Sequence, residues 1–323
     1  MMINILILII GIIIILLLAN IIIKNSIKIA YHFNLSGTFI GLTILSIGTS
    51  IPEIMTHIIG SFNILRDPAA YNTLSSLLMG TNVGSDIFQE TFVLGVVGLV
   101  GTIVVVRKNL LKETGGMIAA AALTLLFSLG GIITRLEGML LLLSYVGYLL
   151  YLKHSKVKEK FNNVAKLTKK NVRISFLLIS IGFIIMAFVA NLVVSASVNL
   201  VELLPISASF FGIILLGIAS ALPELTTSLI AILKKKQDIS AGILIGSNIT
   251  NPLMGIGIGA MISTYSVPNV TVFYDLPFKI LAGIVITYFL WKSEDLNKFE
   301  SITLISLFIL YLVLRIVYFP VDF

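Results

Sequence analysis

Apolar residues in this chain come in long runs, not in the short alternations of a soluble fold. Ten runs have about the length needed to cross a bilayer: 3–23, 36–62, 72–106 (interrupted), 115–134, 136–152, 174–199, 206–233, 239–266, 276–292 and 299–318. A helix of about 20 mostly apolar residues spans the hydrocarbon core. The first run is too long for the hydrophobic part of a signal peptide and has no basic segment before it, so it reads as a span. The one sizeable polar segment, 153–173, divides the runs into five and five. The expected organisation is a first repeat over 1–152, a basic cytoplasmic linker over 153–173 and a second repeat over 174–323. Five is odd, so the second set starts from the opposite face of the membrane. The reading is an all-α polytopic membrane protein of ten transmembrane helices, arranged as two inverted five-helix repeats.

Composition agrees. Of the 323 residues, 11% are charged, against roughly 25% in soluble domains, and the mean hydropathy is +1.08. No polar stretch is long enough to bury a core of its own. The absence of cysteine excludes disulfides and thiolate metal sites, and three scattered histidines argue against a histidine-based metal centre. The net charge of +7 points to topology and not to nucleic acid. Eighteen of the 22 Lys and Arg residues fall in the loops on one side of a ten-helix arrangement, which the positive-inside rule makes cytoplasmic. Arg66, Arg135, Lys279 and Arg315 fall on the other side. Both termini are then extracellular, in a multi-pass protein of the cell membrane.

Two phrases recur in the two halves. Residues 41–60 read GLTILSIGTSIPEIMTHIIG and residues 212–231 read GIILLGIASALPELTTSLIA. GTNVGSDIFQE follows from Gly80 in the first half, and GILIGSNITNP from Gly242 in the second. Each half thus carries a Pro-Glu pair, Pro52-Glu53 and Pro223-Glu224, inside an apolar run. A carboxylate at membrane depth is costly and marks a functional site by default. Proline removes a backbone donor and frees a carbonyl one turn back. Free carbonyls, the hydroxyls of Thr49, Ser50 and Ser220, and a carboxylate make an all-oxygen set suited to hard cations. In the second phrase Ser85 and Gln89, and likewise Ser247 and Asn251, are spaced i, i+4 and share a helix face. Asp86 and Glu90 have the same spacing on another face, where they line an access path or support the site from behind. Their counterparts are Asn248 and Pro252, so the repeat symmetry breaks there. His57, one turn after Glu53, reads as a hydrogen-bonding or packing residue.

These phrases resemble the two α-repeats of the calcium/cation antiporter superfamily, most closely those of its sodium/calcium exchanger branch. The resemblance extends over nearly the whole chain. It implies that Glu53, Gln89, Glu224 and Asn251 form a central cluster of cation sites. Thr49, Ser50, Ser85, Ser220 and Ser247 add hydroxyl and carbonyl ligands. It also implies alternating access: Na⁺ and Ca²⁺ occupy overlapping sites, no further cofactor is needed, and two short helices that open each half slide across the rest. The chain departs from the pattern at Asn251, where an Asp is usual, at Gln89 and Asp86, where Asn is usual, and at Ala221, where a hydroxyl is usual. Two central carboxylates balance one Ca²⁺ but undercompensate three Na⁺. H⁺/Ca²⁺ or other cation exchange with altered stoichiometry is therefore the alternative to Na⁺/Ca²⁺ exchange. Neither an acidic cluster for prenyl transfer nor a catalytic pair for intramembrane proteolysis stands out, so the chain reads as a secondary transporter and not an enzyme. Inverted repeats argue against a passive channel.

Overall fold

The structure is a computed structural model and describes residues 2–32, 40–101, 103, 107–154, 169–201, 203, 206–235, 237–293 and 295–322. In lipid every backbone polar group must be satisfied within the protein, and helices do this segment by segment. The helices are α1 (Met2–His32), α2 (40–66), α3 (68–100), α4 (Arg107–Ser128), α5 (Arg135–His154), α6 (Lys169–Val201), α7 (208–233), α8 (237–263), α9 (271–293) and α10 (Lys298–Tyr318). Among the described residues nine are long and apolar enough to cross a membrane. The tenth, α2, is broken at Ser50 and carries the first Pro-Glu phrase. The start of the expected second helix, 36–39, and the core of the linker, 155–168, lie outside the described residues.

Several boundaries differ from expectation for local reasons. Helix α9 begins at Thr271 and not at 276, because a π-helical turn, Thr271–Asp275, extends it upstream of Pro277. Helix α4 begins at Arg107 and ends at Ser128, ahead of Gly130 and Gly131, the latter in the left-handed region at φ +73°. Residues 132–134, expected as helix, leave it: Ile132–Ile133 pairs antiparallel with Tyr265–Ser266, the one strand pair among the described residues. Thr134 and Glu137 then cap α5 reciprocally, as Asn297 and Glu300 cap α10. The opening helices α1 and α6 are not short. They run 31 and 33 residues, continuing past their apolar stretches into polar flanks.

The two halves interlock. Helices α3 and α8 are the interior ones, and each is packed by the motif helix of the other half: α7 lies on α3, and α2 on α8. Glycine permits both crossings. A Cβ on Gly84 would stand 2.5 Å from the Ile213 Cα, and one on Gly246 would stand 2.8 Å from the Ser46 Cβ. At the other ends of these helices, α5 packs on α8 and α10 on α3, again as a matched pair. Helices α1 and α6 lie against each other in an apolar cluster that includes Leu8, Ile15, Ile22, Met186, Val189 and Val193 and reaches Ile51 of α2, Leu77 of α3 and Phe211 of α7. The larger cluster is built mainly from α3, α4, α5, α8, α9 and α10, with Ile64 of α2, Val194 of α6 and Ile213, Ala221 and Ile232 of α7.

Candidate cation-binding site

The repeated phrases deform the backbone in matched places. The helix breaks at Ser50 (φ −78°, ψ 2°) and at Ala221 (φ −80°, ψ −3°), and Pro52 and Pro223 sit in the first turn after each break. π-helical turns precede the breaks, at Ile40–Leu45 and Gly212–Gly217. Two more begin at Gln89 (Gln89–Val93) and at Asn251 (Asn251–Ile256). Such turns loosen the backbone bonding and occur often at functional sites. Pro252 accounts for the turn in α8. Nothing in the sequence around Gln89 announces the one in α3.

All nine candidate ligand residues come together between the halves. Glu53, Glu224, Gln89, Asn251, Thr49, Ser50, Ser85 and Ser247 are fully buried, and Ser220 is half-buried. Ser85 donates to Glu53 Oε1 at 2.8 Å and accepts from Gln89 Nε2 at 2.9 Å. The Gln89 carbonyl crosses to the other half, accepting from Ser247 at 2.5 Å and from Asn248 at 3.5 Å. Across the pseudo-symmetry axis Ser220 lies near Glu53 and its counterpart Thr49 near Glu224, but their hydroxyls donate to the Gly217 and Ser46 carbonyls, at 3.1 and 3.3 Å. Glu53 Oε2, both oxygens of Glu224, Ser50 Oγ and Asn251 Oδ1 have no hydrogen-bond partner among the described residues. Burying an ionised carboxylate without a partner is strongly unfavourable. Three carboxylate oxygens in that condition, two of them on Glu224, suit a cation and not a further donor side chain. A small cavity of about 30 Å³ adjoins Pro52, Thr56, Thr81, Ala219 and Ser220, room for roughly one water-sized particle.

Asp86 and Glu90 do not line an open path: both are buried. Asp86 accepts from Asn251 Nδ2 at 2.7 Å and pairs with the ammonium of Lys279. Lys279, expected at the outer membrane face, is instead 1% exposed, two turns into α9, because that helix starts earlier than Pro277 suggests. Arg315 is likewise buried, at 0% exposure, beside Asp275 and near Asp322. These two residues are therefore not topology anchors. His57 has the supporting role expected of it. Its Nε2 accepts from Asn82 at 3.1 Å, its Nδ1 meets the Tyr265 hydroxyl at 3.0 Å, and Tyr265 meets Ser61 at 2.8 Å. Asn82 also holds the Asn251 carbonyl at 2.9 Å. Lys279, Asn82 and Tyr265 escape sequence reasoning. Asn82 lies three residues before Ser85 in the second phrase, and Lys279 lies near the start of its apolar run, whose other cation, Lys292, closes it.

The sequence profile of the family described as "Sodium/calcium exchanger protein" matches residues 3–153 and 174–317. The chain belongs to the sodium/calcium exchanger family. Inner membrane protein YrbG of Escherichia coli strain K12 is 27% identical over 271 residues, which cover 81% of each chain. Sodium/calcium exchanger MaX1 of Methanosarcina acetivorans is 25% identical over 352 residues, covering 96% of this chain and 97% of its own. The solved structure of the sodium-calcium exchanger NCX_Mj soaked with 10 mM Na⁺ and 10 mM Sr²⁺ superposes with a TM-score of 0.67 at 24% identity, covering 96% of this chain and 97% of that one. That likeness fixes the fold: ten membrane helices in two inverted repeats of five.

Proposed function

We propose that this family member is a secondary antiporter exchanging Na⁺ for Ca²⁺ by alternating access, at a site built from Glu53 and Glu224. Asn251, Gln89, Thr49, Ser50, Ser85, Ser220 and Ser247 complete the site. The observation that carries this reading is the set of buried oxygens without partners on helices of opposite halves. A Ca²⁺ ion takes six to eight oxygen ligands, mostly carboxylate and carbonyl, and two carboxylates neutralise it. Ser85 and Gln89 hold Glu53 in place, while Glu224 keeps both oxygens available. The cargo would then bind mainly through the second half and be completed by the first.

Two features support alternating access. The α1–α6 pair meets α2, α3 and α7 through apolar side chains such as Ile51, Leu77, Phe211 and Leu216, a seam along which it can shift as a unit. A cavity of about 500 Å³ separates α1 from α7, running from Lys24 and Lys234 to Pro223. A second, of about 240 Å³, lies at the other end between α6 and the α2–α3 turn, lined by Arg66, Asp67 and Asn199. Sliding α1 and α6 would widen one of these cavities and narrow the other.

The test is ⁴⁵Ca²⁺ uptake into proteoliposomes loaded with Na⁺. Uptake that requires the outward Na⁺ gradient supports the proposal. Uptake driven by a pH gradient without Na⁺ assigns the counter-ion to protons. No gradient-driven uptake of either kind rejects the exchange reading.

A further inference from the structure

Among the described residues only Lys279 and Arg315 are buried cations. Arg315 lies near the chain's end, held by Asp275 and Asp322 and by the Ser209 hydroxyl at 2.7 Å. Lys279 belongs to the candidate site. Its ammonium pairs with Asp86, which is bonded to Asn251 at 2.7 Å. Glu90, one turn further along α3, is within electrostatic reach of both Lys279 and Asp86, and its Oε2 has no partner.

An ammonium presents donors and no acceptor, so it takes the same carboxylate and amide oxygens that a small cation takes. Acid and base come together on one side of the pseudo-symmetry axis. The counterpart of Asp86 is Asn248, which is neutral and bonds to the Leu244 carbonyl at 2.8 Å and to Gln89. One added negative charge is thus matched by one added positive charge, where a charge at membrane depth must be paired.

We propose that Lys279 is a tethered cation of the transport site. Its ammonium fills the position beside Asp86, Glu90 and Asn251 throughout the cycle. That position takes no transported ion, and the load is set by Glu53 and Glu224. This inference rests on the exchange reading above and deepens it: Lys279 determines how many cations are carried, without touching the ion that Glu53 and Glu224 bind.

The experiment counts bound ions in purified protein, with ²²Na⁺ and ⁴⁵Ca²⁺ at saturation, for the wild type, Lys279→Met and the double variant Asp86→Asn/Lys279→Met. Lys279→Met uncovers Asp86 and is expected to bind one more Na⁺ per protein than the wild type. The double variant removes the pair and is expected to return to the wild-type count. An unchanged count in folded Lys279→Met overturns the inference. So does loss of ion binding in a folded double variant, which would make Asp86 a ligand of a transported ion. Should Lys279→Met fail to fold, the double variant decides alone. A wild-type protein that binds neither ion defeats the exchange reading itself, and this inference with it. Normal wild-type binding with the variants contradicting expectation defeats this inference only.

Discussion

Glu53 gives one oxygen to Ser85 and keeps one free, whereas Glu224 keeps both. The two glutamates occupy the same place in the repeat and yet differ in what they offer a cation. Removing a unit charge about 4 Å from a bound monovalent ion, at an effective dielectric near 20, costs roughly 4 kcal/mol, or about a thousandfold in binding, and more for a divalent one. Glu224→Gln is therefore expected to weaken Ca²⁺ binding by at least about a hundredfold, measured by ⁴⁵Ca²⁺ equilibrium dialysis. Glu53→Gln is expected to weaken it less, because its amide can still bond to Ser85. His57 supports the site at one remove. His57→Phe leaves Asn82 and Tyr265 each short of a partner and is expected to destabilise the protein by about 1–3 kcal/mol. That loss would be read as a lower Tm in detergent, with the ion preference of the remaining folded protein unchanged. The paired glutamates and the Ser-Gln and Ser-Asn spacings were legible in the sequence because each occurs twice. Lys279 was not, because a lone cation near the start of an apolar run looks like an interface anchor until the helix start is known.

At the scale of helices, the site depends on two crossings and four deformed turns. Gly84 and Gly246 let α7 and α2 approach within backbone distance. A side chain at either position must push a motif helix away from its partner. Gly84→Val is expected to lower the yield of folded protein more than Gly115→Val, since Gly115 has nothing within 4 Å of an added Cβ. Size-exclusion chromatography of the solubilised variants compares them. Membrane helices are legible as apolar runs, so all ten were located from sequence. Their ends were less so. The Thr271–Asp275 turn and the Ile132–Ile133 pairing depend on contacts between distant loops, which a run of hydropathy does not encode. The turns at Gln89 and Asn251 fall inside spans of membrane length, and hydropathy does not encode the widened backbone turn that each one makes.

For the whole molecule, contacts between loops agree with an inverted ten-helix topology. The loop after α4 pairs with the loop after α8, and the tail residue Asp322 bonds to Ser209 at the start of α7. Lys24 and Lys234 border one cavity. In each case the ten-helix count puts both partners on the same face. With Lys279 and Arg315 buried, the charge asymmetry becomes sharper, leaving Arg66 and Arg135 as the cations of the less basic face. The positive-inside rule predicts the absolute orientation. Because the chain has no cysteine, single introduced cysteines report it cleanly. Leu129→Cys is expected to react with an impermeant maleimide in intact cells, and Lys234→Cys only after permeabilisation. The reverse pattern would invert the molecule in the membrane without altering the site.

The claim that unites these scales is that Glu53 and Glu224, from opposite halves, hold the transported cation between them. A crystal structure of the protein soaked in Sr²⁺ tests it most directly, through the anomalous signal of the ion. The account predicts a peak bridging the two carboxylates, next to Ser50 and Asn251 and away from Lys279. A peak at Asp86 and Glu90 with none at Glu224 would contradict it.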